Sequence, residues 1–203
     1  DSLSQAEAIL TQRCRNVTFE LNSSRFFWGN ALVYRGRWRE LGHRLDAWIK
    51  DAEQRGDLYA TASLRLLRTR SVTLSSGYIA AVRRETRDAI ELWKAAEFGV
   101  QAFLGVMTEV QADLYEGKPR DAVARMARLW PVFKGSLMSR IQLCRIHAHQ
   151  HAGFAVLALA RVSQGRERKR LLRTAEEHTA KLRKEQMPWA TAFANQIQAA
   201  IHH

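Results

Sequence analysis

Proline, cysteine and long apolar runs are scarce in this 203-residue chain, and each scarcity excludes a class of protein. With 3 prolines and 11 glycines, the chain is neither collagen-like nor a Pro/Gly-rich disordered protein. The longest apolar run, 154–160, is too short to cross a bilayer, so we expect no membrane partner. Its two cysteines, Cys14 and Cys144, form no metal-binding motif. Without a signal-peptide pattern, they favour a cytoplasmic protein with reduced thiols.

Acidic residues are also few, because 20 Asp and Glu stand against 32 Lys and Arg and leave a net charge of +12. A nucleic acid or an acidic protein partner would explain this excess. An Arg-rich solvent-exposed surface is the other explanation. Arginine occurs in nearly every predicted helix and not in one cluster, which favours the second explanation slightly.

Motifs for nucleotide chemistry are missing from the sequence. There is no P-loop, and no glycine-rich kinase loop is followed by a phosphate-positioning lysine and metal-binding acids. The sequence therefore predicts no enzymatic activity and no cofactor for this chain.

The sequence instead contains helical periodicity that is interrupted by glycine. Gly36 follows the apolar pair Leu32 and Val33 and precedes a new apolar stripe, as expected where a glycine with positive φ ends a helix. The same arrangement recurs at Gly77 and Gly117, at spacings of 41 and 40 residues. A period near 40 indicates a repeat of antiparallel helix pairs.

The pattern predicts an all-α chain with one domain over 1–203, an antiparallel helical-repeat solenoid of about four helix pairs with flanking helices. Residues 14–24 alternate like an extended connector. Ser24, Asp57, Ser75 or Ser76, and Ser136 are predicted N-caps, and Pro131 is predicted to end a helix. The predicted helices are 1–13, 25–35, 38–54, 58–73, 78–97, 100–116, 120–130, 136–162, 166–186 and one that begins at Pro188.

Two of the turns carry a family resemblance. The strings Gly36-Arg-Trp-Arg-Glu-Leu41 and Gly117-Lys-Pro-Arg-Asp-Ala122 resemble the Gly-x-aromatic-x-Glu-Ala turn of tetratricopeptide repeats (TPRs). The repeat length differs, because TPR units have about 34 residues and HEAT units about 40–47. The chain therefore resembles a TPR-like array with long helices.

Longer strings are similar to a narrower family, and they lie at 14–21, 45–60, 112–117 and 188–190. They resemble the carboxy-terminal, TPR-like region of large bacterial serine/threonine protein kinases. This resemblance implies that the chain is a fragment from the end of a multidomain signalling protein. It further implies a non-catalytic interaction module. A nucleic-acid-binding or signal-sensing helical domain of a transcriptional regulator is the alternative.

Candidate partner-binding residues lie on the first helices of the predicted pairs. Thr61, Arg65 and Arg68 lie on one face of the helix 58–73, beside the apolar stripe of that helix. Arg145 and His149 are expected at a corresponding position on a later helix. In TPR-like arrays such helices line the concave surface. We therefore expect a basic groove that binds acidic or phosphorylated protein segments.

Histidine and tryptophan raise two further alternatives. His147 and His151 share a helix face and could hold zinc, but no Asp or Glu lies between Asp121 and Glu167. Histidines that pack at a helix–helix contact are the favoured interpretation, so no metal site is predicted. The six tryptophans could form a set that stacks on bases. Four of them fall on apolar stripes and are predicted to be core residues: Trp38, Trp48, Trp93 and Trp130.

Overall fold

The computed structural model describes residues 2–93 and 98–202, and this part of the chain contains ten α-helices and no strand. The predicted all-α class is confirmed. The helices form two compact units, Asp1–Lys94 and Ala95–His203. A single domain over 1–203 stays a prediction.

The first unit contains five α-helices in which successive helices pack against each other. A π-helical segment, Thr69–Thr73, continues α4. The helices are α1 (Ser2–Gln12), α2 (Thr18–Tyr34), α3 (Trp38–Gln54), α4 (Leu58–Arg68) and α5 (Ile79–Leu92). The predicted bounds of α3 are confirmed. For α5, residues 94–97 of the predicted helix lie outside the described residues.

The second unit also contains five α-helices, with a short 3-10 helix (Leu137–Arg140) between the second and third. In this unit α8 packs against each of the other four helices. The helices are α6 (Val100–Tyr115), α7 (Pro119–Gly135), α8 (Gln142–Val162), α9 (Gly165–Lys184) and α10 (Pro188–His202). Pro188 begins α10 as predicted, and Pro119 begins α7 one residue before the predicted start, because proline suits the first turn of a helix.

The three predicted glycine turns are confirmed. Gly36, Gly77 and Gly117 have φ of 67°, 78° and 70°, and each joins two consecutive helices. At the first turn, the amide of Arg37 donates to the carbonyl of Leu32 at 3.0 Å and so satisfies a carbonyl at the end of α2. The chain therefore reverses at glycine because a side chain would disfavour this backbone conformation.

Tryptophan and leucine form the core of the first unit. Trp28 and Trp48 are buried with ring centroids 5.5 Å apart, next to Leu41 and Leu45. The prediction that Trp38 is a core residue is wrong, because 44% of it is exposed. It is the first residue of α3, one turn before the buried stripe begins at Leu41. Trp93 and Trp130 are half-buried.

The predicted extended connector at 14–24 is wrong, because α2 begins at Thr18. Phe19 is 71% exposed whereas Leu21 is buried, so the alternating apolar residues do not share one face. Leu21 donates its amide to the carbonyl of Val17 at 2.9 Å, which closes the first helical turn. Ser24 consequently lies inside α2 and does not cap it.

Pro131 does not end α7, which continues to Gly135. A proline inside a helix removes one backbone hydrogen bond. Here the turn that follows is held by Phe133, which is buried and stacks on Phe103 at 5.4 Å. Aromatic packing thus stabilises the last turn of α7 and offsets the missing hydrogen bond.

The predicted caps have mixed outcomes. Asp57 caps α4 as predicted, because its carboxylate accepts the amide of Ala60 at 2.9 Å. Ser136 accepts the amide of Met138 and so caps the 3-10 helix instead of α8. Ser75 and Ser76 do not cap α5. Their hydroxyls donate instead to the carbonyls of Val72 and Thr73, which precede them by three residues.

Candidate partner-binding site

A cleft of about 380 Å³ opens in the first unit between α3, α4, the π-helical segment and α5. Its charged residues come from three helices, and we call it the charged cleft. Four lining residues are acidic: Asp46, Glu53, Glu85 and Asp88. Three are basic: Lys50, Arg65 and Arg68. The expected groove around Arg65 and Arg68 is therefore mixed in charge and not predominantly basic.

Helical spacing explains why these charges meet. Asp46, Lys50 and Glu53 lie at i, i+4 and i+7 on α3, so they share one face. Arg65 and Arg68 are three residues apart on α4 and share the face that looks toward α3. The apolar stripes of the two helices pack beneath them and fix the distance between the charged faces.

Two ion pairs cross the charged cleft. Arg65 Nη2 lies 2.5 Å from Glu53 Oε1, and Arg68 Nε lies 3.0 Å from Asp46 Oδ1. All four side chains are between 39% and 62% exposed. Exposed pairs of this kind contribute about 0–1 kcal/mol, because water screens them and ordering the side chains costs entropy. Either arginine can therefore exchange its carboxylate for another anion at little cost.

Glu85 is held more firmly at the far wall of the charged cleft. Its Oε2 accepts a hydrogen bond from the hydroxyl of Thr73 at 2.9 Å. The hydroxyl of Thr69 lies 3.1 Å from the same oxygen and shares its proton with the carbonyl of Arg65 at 2.8 Å. The two threonines stand four residues apart in the π-helical segment. Single-turn π-helical segments are frequent at functional sites. Here the segment directs both hydroxyls to one carboxylate.

Thr61, the third candidate on α4, does not line the charged cleft. It is 2% exposed, and its hydroxyl donates to the carbonyl of Asp57 at 2.8 Å. Thr61 thus belongs to the packed face of α4. The structure brings Arg65 and Arg68 together and places Thr61 apart from them.

Arg145 lies in the second unit, where it joins the start of α8 to the end of α9. Its Nε and Nη2 each donate to the carboxylate of Glu185 at 2.7 Å, and its Nη1 donates to the carbonyl of Arg140 at 2.8 Å. These hydrogen bonds raise the pKa of Arg145 and lower the pKa of Glu185. All three guanidinium nitrogens of Arg145 therefore have partners within the chain.

His149 is engaged by a second histidine. Its Nδ1 lies 2.9 Å from Nδ1 of His178, and both rings contact Trp130 with centroids 5.1 and 5.8 Å away. Burial, together with the nearby His178 and Lys181, lowers the pKa of His149 from 6.5 to about 4. Burial also lowers the pKa of His178. One neutral ring therefore donates its Nδ1 proton and the other accepts it.

His147 faces a different helix. His147 and His151 share a buried face of α8, with ring centroids 6.0 Å apart, and His147 packs against Trp189 of α10. His151 Nδ1 lies 2.8 Å from the carbonyl of His147. Within residues 2–93 and 98–202, no three side chains of the types that ligate metals are grouped to hold an ion.

Sequence reasoning did not identify the acidic residues of the charged cleft or the partner of His149. The spacing of Asp46, Lys50 and Glu53 on α3 was a usable signal, because it places three charges on one helix face. His178 carried no such signal. It lies 29 residues from His149, and only the packing of α8 against α9 brings the rings together.

Among the described helices, none combines the length and apolar character that a membrane crossing requires. No family model, no curated protein and no solved structure matches the chain.

Proposed function

We propose that this chain is a non-catalytic protein-interaction module of a bacterial serine/threonine protein kinase-type signalling protein. The family-like strings of the sequence support the signalling parent. The repeated helix–Gly–helix turns support a TPR-like solenoid, in which helix pairs present a continuous binding surface. The observation that carries the proposal is the charged cleft, where two arginines with exchangeable carboxylate partners face solvent.

The proposed mechanism is an exchange of ion pairs. A carboxylate or phosphate of the partner displaces Glu53 from Arg65 or Asp46 from Arg68 and forms charge-assisted hydrogen bonds. The released carboxylate is then available to a lysine or arginine of the same partner. The preferred partner is therefore an acidic or phosphorylated segment that also carries basic residues. Because all lost pairs are replaced, specificity depends on the order of charges along the segment.

We place the module in the cytoplasm. Neither Cys14 nor Cys144 forms a disulfide, and Cys144 is buried in α8. Burial raises the pKa of the Cys144 thiol to about 11, so the thiol stays protonated and unreactive at neutral pH. Two free thiols, one of them buried, suit a reducing compartment.

The test is capture of partners from source-cell extract at physiological salt, with the 203-residue chain as bait. Arg65→Glu/Arg68→Glu should lose a partner that the unaltered chain retains. Arg84→Glu/Arg87→Glu is the matched control, because these arginines have the same spacing, lie exposed on α5 and do not line the charged cleft. If the folded cleft variant kept every partner, the assignment to the cleft would be wrong. If neither bait captured a partner, a purely structural role would replace the proposal.

Nucleic-acid binding is the second candidate, and the exposed cations of α9 favour it. This helix carries eight Lys and Arg against three Asp and Glu. A duplex DNA titration at several salt concentrations distinguishes the two functions. Tight binding with a steep salt slope, weakened by Arg166→Glu/Lys169→Glu/Arg173→Glu, would favour this candidate. Weak binding that disappears at physiological salt would reflect the surface charge alone.

A further inference from the structure

A second cavity, of about 620 Å³, lies within the second unit between α7, α8 and α9. We call it the apolar pocket. Its walls are mainly apolar, and small residues create its space. Ala127 lines the pocket from α7, and Ala152 and Ala155 line it from α8. A larger side chain such as leucine at these positions would fill the space. Its volume lies in the range of about 300–1,000 Å³ that is typical of small-molecule sites.

Contacts between α7 and α9 limit the length of the apolar pocket. The two helices run parallel to each other and antiparallel to α8. They approach each other at Arg120 and Glu167, whose charged atoms are 3.8 Å apart, and again where Trp130 packs edge-on against His178. A partner helix would have to break the contact between Trp130 and His178. A compact ligand beside these rings leaves the contact intact.

Polar groups in the wall are few and favour an anion. Lys134 and His178 are the ionisable lining residues, and Thr174 adds a hydroxyl that donates to the carbonyl of Arg170 at 3.2 Å. No carboxylate is among the lining residues that the structure describes. The contact between the Nδ1 atoms of His149 and His178 fixes the orientation of the His178 ring. An apolar ligand with one negative charge is therefore complementary to the wall, which is apolar and has the cation of Lys134 at its rim.

We propose that the apolar pocket binds a small apolar monocarboxylate, with its hydrocarbon part against Met126, Ala155 and Val156 and its carboxylate toward Lys134. The hydrophobic effect supplies most of the affinity, because the ligand and the pocket wall lose water together. Lys134 is exposed at the rim, so its ion pair with the ligand contributes mainly selectivity. This proposal is independent of the charged cleft in the first unit.

Calorimetric titration with decanoate and with 1-decanol tests the proposal. Decanoate should bind with one saturable site and more tightly than decanol. Lys134→Gln should weaken the binding of decanoate about two- to fivefold, the range expected for one exposed ion pair. It should leave the affinity for decanol unchanged. Ala127→Trp should remove binding of both ligands, because Ala127 is an exposed residue of the lining. Ala180→Trp is the matched control, since Ala180 is exposed on α9 outside the lining and should keep binding.

Nuclear magnetic resonance locates the site. The indole N–H signal of Trp130, identified by its loss in Trp130→Phe, should shift on addition of decanoate. The proposal fails if decanoate shows no saturable binding, or if the folded Ala127→Trp variant binds it as the unaltered chain does. Equal affinity for decanoate and decanol would remove the assigned role of the carboxylate. A concentration-dependent dimer that Ala127→Trp dissociates would make a second copy of the chain the occupant.

Discussion

The Nδ1 atoms of His149 and His178 lie 2.9 Å apart, so the two imidazoles share one proton between α8 and α9. A proton on the accepting Nδ1 would place two N–H donors against each other in a half-buried site beside Trp130. Charged groups that influence His149 include Lys181, Arg145 and Glu185, and Glu177 acts on His178. Protonation of the accepting ring therefore breaks this hydrogen bond, and burial opposes a charge on either ring.

Acid should destabilise the fold through this pair. The pKa of His149 falls from 6.5 to about 4 on folding, so the unfolded chain binds the proton more readily. Its contribution to stability is complete above about pH 6.5 and disappears as the pH falls through about 4. The free energy of unfolding should therefore fall by at most about 3 kcal/mol, because each unit of pKa difference corresponds to about 1.36 kcal/mol. Urea unfolding between pH 7 and 4 measures it.

Two variants isolate the contribution of the histidine pair to this pH dependence. His149→Gln removes the titrating ring from α8, so its free energy of unfolding should change less between pH 7 and 4. His43→Gln removes an exposed histidine of α3, and its free energy of unfolding should depend on pH as that of the unaltered chain does. Parallel curves for the unaltered chain and His149→Gln would show that other groups cause the acid sensitivity.

Arg145 is expected to stabilise the second unit through Glu185. Arg145→Ala removes two hydrogen bonds of 2.7 Å to the carboxylate and leaves Glu185 without its cation. Hydrogen bonds to charged groups contribute about 1.5–3 kcal/mol, so the free energy of unfolding should fall by about that amount. Arg140→Ala is the control, because its side chain is exposed. If Arg145→Ala had the same free energy of unfolding as the control but lost a partner, Arg145 would act in binding.

Gly117 should tolerate substitution poorly despite open space around it. A Cβ at this position meets no atom within 4 Å, so only its φ of 70° opposes a side chain. Gly117→Ala should therefore destabilise the chain by about 1–2 kcal/mol. Gly135→Ala is the contrast, because that site is equally open and no positive φ occurs there. Equal thermal stability of the two variants would contradict the explanation of the repeat by glycine turns.

Local signals predicted the helices well where one residue type determines the backbone. Glycine with positive φ, the Asp57 cap and Pro188 mark helix bounds that the structure confirms. Pro131 shows where such signals fail. Its local effect opposes a helix, but the burial of Phe133 against Phe103 outweighs that effect.

The candidate site was predictable only in part. Arg65 and Arg68 were identified because their spacing places both on one helix face. Their carboxylate partners come from α3, and which face of α3 meets α4 depends on the packing of Trp48 and Leu45. Sequence periodicity gives the two faces but not their mutual orientation. The charge of the cleft therefore required the structure.

Gly29 offers the last prediction, on how closely α2 approaches α4, and Gly42 of α3 is its contrast. A Cβ at Gly29 would lie 2.5 Å from Cδ2 of the buried Leu67, whereas a Cβ at Gly42 would meet only Cγ1 of Val72 at 3.9 Å. Gly29→Ala should destabilise the first unit by about 1–3 kcal/mol through overpacking. Gly42→Ala should stabilise it by up to about 1 kcal/mol, because alanine favours helix. Chemical denaturation compares them, and a stabilised Gly29→Ala would mean that α2 and α4 are not in close contact there.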